Sequence, residues 1–281
     1  MKGTVLILKI VISVALILSG PGLAQAIFYS PDTTTDLSGT TLYDEDVAED
    51  LAGNITLIDA GPIPAGTDLT AYHLLPSGDQ LIAFDTTVLL SGTTFEPGDI
   101  ARYNGTTYSM EFDASAEGVP SGVYVDALTM DFSNNLLMSF DTTVNLGVLT
   151  VDDEDLVVFT GSGFISFFDG SSAGINEALD LDAAHLFNNG VLRMSFDGSG
   201  VVDSVSFDDE DVLQYYITND TWTLSYNGSE QHTGWLAADL DALFLQFLAG
   251  IPIFNEWGMI LFMVLAGLGS IYYLRRQKRV S

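Results

Sequence analysis

The amino-acid sequence predicts an all-β fold, a four-bladed β-propeller of ~56-residue repeats closed by its own N- and C-terminal strands, and three observations carry that prediction. The chain repeats itself: Asp85, Asp141 and Asp197 recur at intervals of 56, as do Asp99, Asp155 and Asp211, and again Thr70, Asp126 and Asp182. Within a unit, short runs such as Leu136-Leu137-Met138-Ser139-Phe140 and Phe164-Ile165-Ser166-Phe167-Phe168 are built from the apolar, aromatic and β-branched residues of strands. Turn formers separate the runs, at Ser77-Gly78-Asp79, Ser133-Asn134-Asn135 and Asn188-Asn189-Gly190, and no window away from the termini shows a helical period.

The elements follow in order. Lys2 and Lys9 precede or enter the apolar run Ile10–Leu18, which leads through Gly20-Pro21-Gly22 to Ala24-Gln25-Ala26. Residues 1–26 therefore read as a secretory signal peptide, with Ala24 and Ala26 as the small residues before a signal peptidase cut after Ala26; a retained N-terminal membrane helix is the alternative. The repeat domain, 27–250, opens in mid-unit. Phe28-Tyr29-Ser30-Pro31-Asp32 answers to the second strand of a blade, Asp44-Glu45-Asp46-Val47-Ala48 to the third and Ile55-Thr56-Leu57-Ile58-Asp59 to the fourth. Full units start at Thr70, Asp126 and Asp182, and Asp239-Leu240-Asp241-Ala242-Leu243-Phe244 supplies the first strand that the opening unit lacks. A ring completed in this way removes its free edges. An open β-solenoid or two packed sheets remain as alternatives.

Composition excludes several functions. With 38 acidic against 8 basic side chains the net charge is -30, which repels phosphate backbones and argues against nucleic-acid binding. The absence of cysteine removes disulfides, thiolate zinc sites and cysteine nucleophiles. The 17 Phe, 11 Tyr and 3 Trp are too many for an acidic disordered chain.

At the C-terminus, 257–274 is an uncharged stretch long enough, at about 1.5 Å per residue, to span a bilayer core. The basic tail Arg275, Arg276, Lys278 and Arg279 follows and would stay cytoplasmic. Ahead of it stands Ile251-Pro252-Ile253-Phe254-Asn255-Glu256-Trp257-Gly258. Ile251, Pro252, Glu256, Trp257 and Gly258 match the sorting motif written Ile-Pro-Thr-Leu-Ser-Glu-Trp-Gly, and the order of motif, helix and basic cluster matches as well. The segment 251–281 thus resembles the IPTL-type, PEP-CTERM-like signal of exosortase-sorted bacterial surface proteins. The resemblance implies processing by an exosortase in a Gram-negative envelope. It also implies membrane attachment through the C-terminal helix before processing, then delivery to the cell surface or extracellular matrix. A plain single-pass tail anchor is the alternative.

The Asp-Ala openings at Asp126-Ala127, Asp182-Ala183 and Asp241-Ala242 are similar to the way hemopexin-type four-bladed propellers begin each blade. That likeness implies first strands lining a central channel, where Asp126, Asp182 and Asp241 would converge with Thr70 in the fourth place. Like charges that close raise one another's pKa unless a cation, most plausibly Ca2+ outside the cell, sits among them. Turn capping is the competing role for each Asp. A second set, Asp46, Asp99, Asp155 and Asp211, recurs at the start of each third strand and suggests either a Ca2+ loop per blade or acidic turn formation.

Enzyme signatures are weak. Gly170-Ser171-Ser172-Ala173-Gly174 fits a nucleophile motif but occupies a blade turn, and His73 and His185 are equivalent repeat positions, not a catalytic cluster. No catalytic residue is assigned. The expected function is a non-enzymatic, exported binding or adhesion module stabilised by Ca2+, with an extracellular glycan or protein as ligand. The alternative is a secreted glycosidase or lyase using paired carboxylates on the propeller face.

Overall fold

The computed structural model describes residues 25–247 except 188. The signal segment before Gln25, the sorting motif, the 257–274 segment and the basic tail lie outside the described residues. Among the described residues no helix is long and apolar enough to cross a membrane.

The chain enters as β1 (Gln25–Pro31), forms a small hairpin of β2 (Thr35–Leu37) and β3 (Thr40–Leu42), and returns as β4 (Val47–Leu51) and β5 (Asn54–Ile58). A second unit runs β6 (Ala71–Leu74), β7 (Gln80–Ala83), hairpin β8 (Val88–Leu90) and β9 (Thr93–Phe95), β10 (Ile100–Tyr103) and β11 (Tyr108–Phe112). The third is β12 (Val125–Met130), β13 (Leu136–Phe140), hairpin β14 (Val144–Leu146) and β15 (Leu149–Val151), β16 (Leu156–Phe159) and β17 (Phe164–Phe168). The fourth is β18 (Ala183–Phe187), β19 (Val191–Ser195), hairpin β20 (Gly200–Val202) and β21 (Val205–Phe207), β22 (Val212–Tyr216) and β23 (Thr221–Tyr226). One helical turn, α1 (Gly228–Gln231), and a 3-10 turn (Thr233–Ala237) then lead into β24 (Leu240–Phe247).

These strands make four four-stranded antiparallel sheets, and the first has the order β24-β1-β4-β5. The last strand among the described residues thus completes the first blade, with Phe244 opposite Phe28 and Ala242 opposite Ser30. The ring closes as the incomplete first and last units predict. Ala26, fully buried, pairs with Gln246 and Leu51, so processing after Ala26 takes two residues from β1.

The innermost strands β6, β12, β18 and β24 each touch the inner strands on either side. Both faces of a blade are covered by its neighbours, which is why the strands carry apolar residues on both sides. Four cores result, one between each pair of adjacent blades. Phe84, Phe140 and Phe196 occupy the same repeat position and are almost wholly buried, each contributing about 2 kcal/mol of apolar burial.

The unit holds more than the expected four strands. A hairpin stands between the second and third strands of every blade, turning on Ser38-Gly39, Ser91-Gly92, Gly147-Val148 or Asp203-Ser204. The first, second and fourth of these turns hold both residues at positive φ, and the third holds Gly147 alone, the geometries that match the twist of a tight β-hairpin. The hairpins roof the inter-blade cores with Leu37 and Leu42, Leu90 and Phe95, Val144 and Val151, and Val202 and Phe207.

Candidate metal centre

The four inner strands begin on a common device. The Asp85, Asp141, Asp197 and Asp32 carboxylates accept the backbone N–H of Asp68, Tyr124, Asp180 and Asp239 at 3.1, 2.9, 2.8 and 2.6 Å. In return each of these aspartates donates its own N–H to the carbonyl of the same partner. The repeat of Asp85, Asp141 and Asp197 is thus a clamp that fixes where each inner strand starts.

Two residues beyond each clamped position lie Thr70, Asp126, Asp182 and Asp241. Residues two apart on an extended strand point the same way, so each blade can aim two side chains at the axis. Sequence reasoning found one member of each pair and missed Asp68, Asp180 and Asp239; the signal was the Asp-Leu-Asp repetition at 180–182 and 239–241. Ligand oxygens of Asp126, Asp180 and Asp182 all lie within 4.8 Å of one another. Asp126 is 6% exposed, and Asp182 Oδ2 is buried without a hydrogen-bond partner among the described residues.

The electrostatics follow from this crowding. Burial, then the Asp180 and Asp141 charges, pushes Asp126 well above the usual carboxylate range. Burial and then the charge of Asp239 do the same to Asp182. Burial raises Asp180 to about 7, Asp68 to about 7, Asp239 to about 8 and Asp241 to about 10. The Asp126 and Asp180 carboxyls are neighbours, as are Asp68 and Asp241, and in each pair the proximity of the second carboxyl disfavours ionisation of both. Asp241 therefore pairs with Asp68 beside the trio, while the Thr70 hydroxyl donates to the Val125 carbonyl at 2.7 Å.

Farther along the axis the channel is filled. His73 and His185 stack with centroids 6.2 Å apart, and Phe244 packs edge-on against both at 5.0 and 4.9 Å. Burial lowers His73 to about 4 and holds His185 well below the usual imidazole range, so the plug is neutral. Thr129, in the equivalent place on β12, accepts the Leu186 N–H.

The second acidic set is engaged by the backbone. Asp99 accepts the N–H groups of Glu96 and Ala114, Asp155 those of Asp152 and Gly170, and Asp211 those of Asp208 and Gly228, all at 2.8–3.3 Å. Asp46 accepts the Tyr43 N–H at 3.0 Å. Asp99, Asp155 and Asp211 thereby staple the third strand to the end of the fourth, and Asp46 caps its turn alone. A further group lies off the axis and was not anticipated: His232, between α1 and the 3-10 turn, contacts Asp50 of β4 and Ser38 of the first hairpin.

No protein-family model matches the chain, and no curated protein matches it. Among solved structures it is similar to the extracellular domain of a putative one component system from B. thetaiotaomicron, at 9% identity over 70% of this chain and 22% of that one, with a TM-score of 0.31. The chain thus spans about a fifth of that domain's length. It is also similar to a protein of unknown function from Bacteroides caccae, at 9% identity, 73% and 74% coverage and a TM-score of 0.34. A catalytically inactive virginiamycin B lyase from Staphylococcus aureus with quinupristin gives 9% identity, 73% and 71% coverage and a TM-score of 0.34. Likeness at this level assigns neither a ligand nor a reaction.

Proposed function

We propose that this propeller is an exported, non-catalytic binding module that works outside the cell and is stabilised by one Ca2+ held by Asp126, Asp180 and Asp182. The observation that carries the reading is the trio itself, three buried or half-buried carboxylates with one unpartnered oxygen among them. Oxygens that share one Ca2+ stand at most about 5 Å apart, twice the metal–ligand distance, and the trio meets that limit. An all-carboxylate set suits a hard cation and not a soft one. The ion would replace bound protons with charge compensation and give Asp182 Oδ2 its partner.

The address comes from the terminal signals. Signal peptidase would release the N-terminal segment, and the C-terminal helix would hold the chain in the inner membrane of a Gram-negative envelope. An exosortase acting at 251–258 would then pass it to the surface or matrix, where a glycan or protein ligand is met. The closeness of the trio supports ion binding over the glycosidase or lyase alternative, whose two carboxylates need about 5–10 Å between them to admit a sugar.

The test is thermal unfolding of the full-length chain in EDTA and across a Ca2+ titration. A ligand confined to the folded state adds about 2.7 kcal/mol at a hundredfold excess over its dissociation constant. Stabilisation by Ca2+ that disappears in Asp182→Asn supports the reading; an unchanged Tm at saturating Ca2+ overturns it.

A further inference from the structure

Between the first and fourth blades lies a cavity of about 220 Å³, lined by Gln25 and Ile27 of β1, Asp50 of β4, Arg193 of β19, Tyr226 of β23 and Leu245 of β24, among others. Arg102 and Arg193 are the only cationic side chains, Lys or Arg, in residues 25–247. Arg102 is paired with Asp79 and Glu111. Arg193, half-buried in a chain with 38 acidic residues, has no carboxylate partner among the described residues. Its Nε donates to Gln214 Oε1 at 3.1 Å and its Nη1 to Gln25 Oε1 at 2.8 Å, and its guanidinium carbon stands 5.4 Å from the Phe187 ring centroid. Of the five N–H groups of a guanidinium, two are spent in this way and the rest have no partner among the described residues.

The one carboxylate in the cavity wall cannot serve them. Asp50 Oδ1 accepts the Gly53 N–H at 2.7 Å, and Oδ2 faces His232 Nε2 at 2.9 Å. One more donor in the same wall, Gln25 Nε2, is buried with no acceptor among the described residues, whereas the Tyr226 hydroxyl faces Tyr29 and Trp235. The site is therefore rich in donors and short of acceptors. Its missing occupant carries an anionic oxygen pair for the arginine fork and neutral oxygens for the other donors. Ile27 and Leu245 offer aliphatic walls, and the volume, below the usual range for drug-sized ligands, limits the occupant to a small molecule. A ligand ammonium would find no free carboxylate here, which disfavours an amino acid.

We propose that this cavity binds a uronic acid, a sugar ring whose carboxylate is held by Arg193 and whose hydroxyls meet the neighbouring Ser225 and Gln231. The inference deepens the reading of the protein as an extracellular binding module by naming its ligand class, and it is independent of the axial cation. Processing after Ala26 would remove Gln25 and free a further N–H of Arg193, leaving the anchor of the site in place.

The experiment is titration calorimetry of the full-length chain in detergent with D-galacturonate, D-galactose and L-glutamate, in saturating Ca2+. Galacturonate is expected to bind at millimolar concentrations, with galactose and glutamate at least about tenfold weaker, the ratio set by one charged hydrogen-bonding partner. Arg193→Met, whose Tm shows whether it is folded, is expected to lose about tenfold or more. Ser225→Trp, which fills the cavity, is expected to abolish binding. The proposal is overturned if galacturonate fails to bind, if galactose or glutamate binds equally well, or if a folded Arg193→Met or Ser225→Trp binds like the wild type. A failure here leaves the Ca2+ response of the axial trio intact, so the two readings fall separately.

Discussion

His232 Nε2 lies 2.9 Å from Asp50 Oδ2, and the two side chains are 1% and 3% exposed. The other ring nitrogen of His232 stands 2.8 Å from Ser38 Oγ, so one imidazole joins the connection leading into β24 to both β4 and the first hairpin. Thr35 adds a bond to the Gly234 carbonyl. Gly234 is obligatory, because a Cβ there would fall 2.1 Å from the Asp36 carbonyl oxygen.

Removing one partner of such a buried pair leaves the other without compensation. Asp50→Ala is expected to cost about 3 kcal/mol and Ser38→Ala, at the exposed end of the chain of bonds, less than about 1 kcal/mol. Urea unfolding checks both, with the midpoint moving and the slope unchanged.

The axial carboxyls make stability depend on pH. Asp239 and Asp241 are raised from 3.8 to about 8 and about 10, so above 3.8 the folded state holds protons that the unfolded state has released. The stability they contribute is fully present below 3.8 and is lost as pH rises through the folded-state values. The buried His73 and His185 act with the opposite sign, losing stability as pH falls below 6.5, and contribute little change above about pH 7. In EDTA the Tm is therefore expected to fall from about pH 7 to 9. Saturating Ca2+ is expected to flatten that slope, which a pH series of melting curves reads directly.

Asp182→Asn is expected to raise the Tm in EDTA at pH 8 while removing the Ca2+ increment. The amide keeps the shape and deletes a buried charge whose Oδ2 has no partner, a gain on the order of 1 kcal/mol. A variant that lost stability in both media would point to a packing role instead.

Gly170 and Gly228 occupy the same blade position, and a Cβ at either would stand 2.5 Å from the carbonyl oxygen of Glu154 or Glu210. Gly170→Ala and Gly228→Ala are each expected to cost about 2 kcal/mol by overpacking, measured by chemical denaturation. This close approach also accounts for the Gly170-Ser171-Ser172-Ala173-Gly174 run, in which Asp169 accepts the Ser172 N–H and the Ser171 hydroxyl to form a turn.

Asp141→Ala should cost about 1 kcal/mol by orphaning the Tyr124 N–H, and the same change at Asp85 and Asp197 should cost the same within error. Equal losses at three sites 56 residues apart would show that the repeats are energetically as well as geometrically alike.

The four blades and the closure of the ring were legible because each inner strand must present apolar residues to two neighbouring blades, which stamps the period on positions such as Phe84, Phe140 and Phe196. The hairpins were not, since three-residue strands carry little alternation and the Asp203-Ser204 turn lacks the glycine that signals one. At the axis, Asp126 and Asp182 were legible from repeat phase. Asp180 was hidden because Tyr124 and Thr70 interrupt the doubled-aspartate pattern in two of the four blades. The His232–Asp50 pair is 182 residues apart in the chain and follows no repeat. Arg193 carries no motif in the sequence; that it lacks a carboxylate partner among the described residues is a property of the packed blades.

Closure by β24 also decides how the molecule carries load. Phe247, where the described chain ends, is the last residue of the innermost strand, and it lies opposite Gln25 at the outset of β1. Tension arriving from the chain beyond Phe247 enters at the hub of the ring, on a strand braced by β1, β6, β18 and β12. To yield, the protein must extract one of its four innermost strands and open the ring, a cooperative rupture with no peripheral strand to peel first.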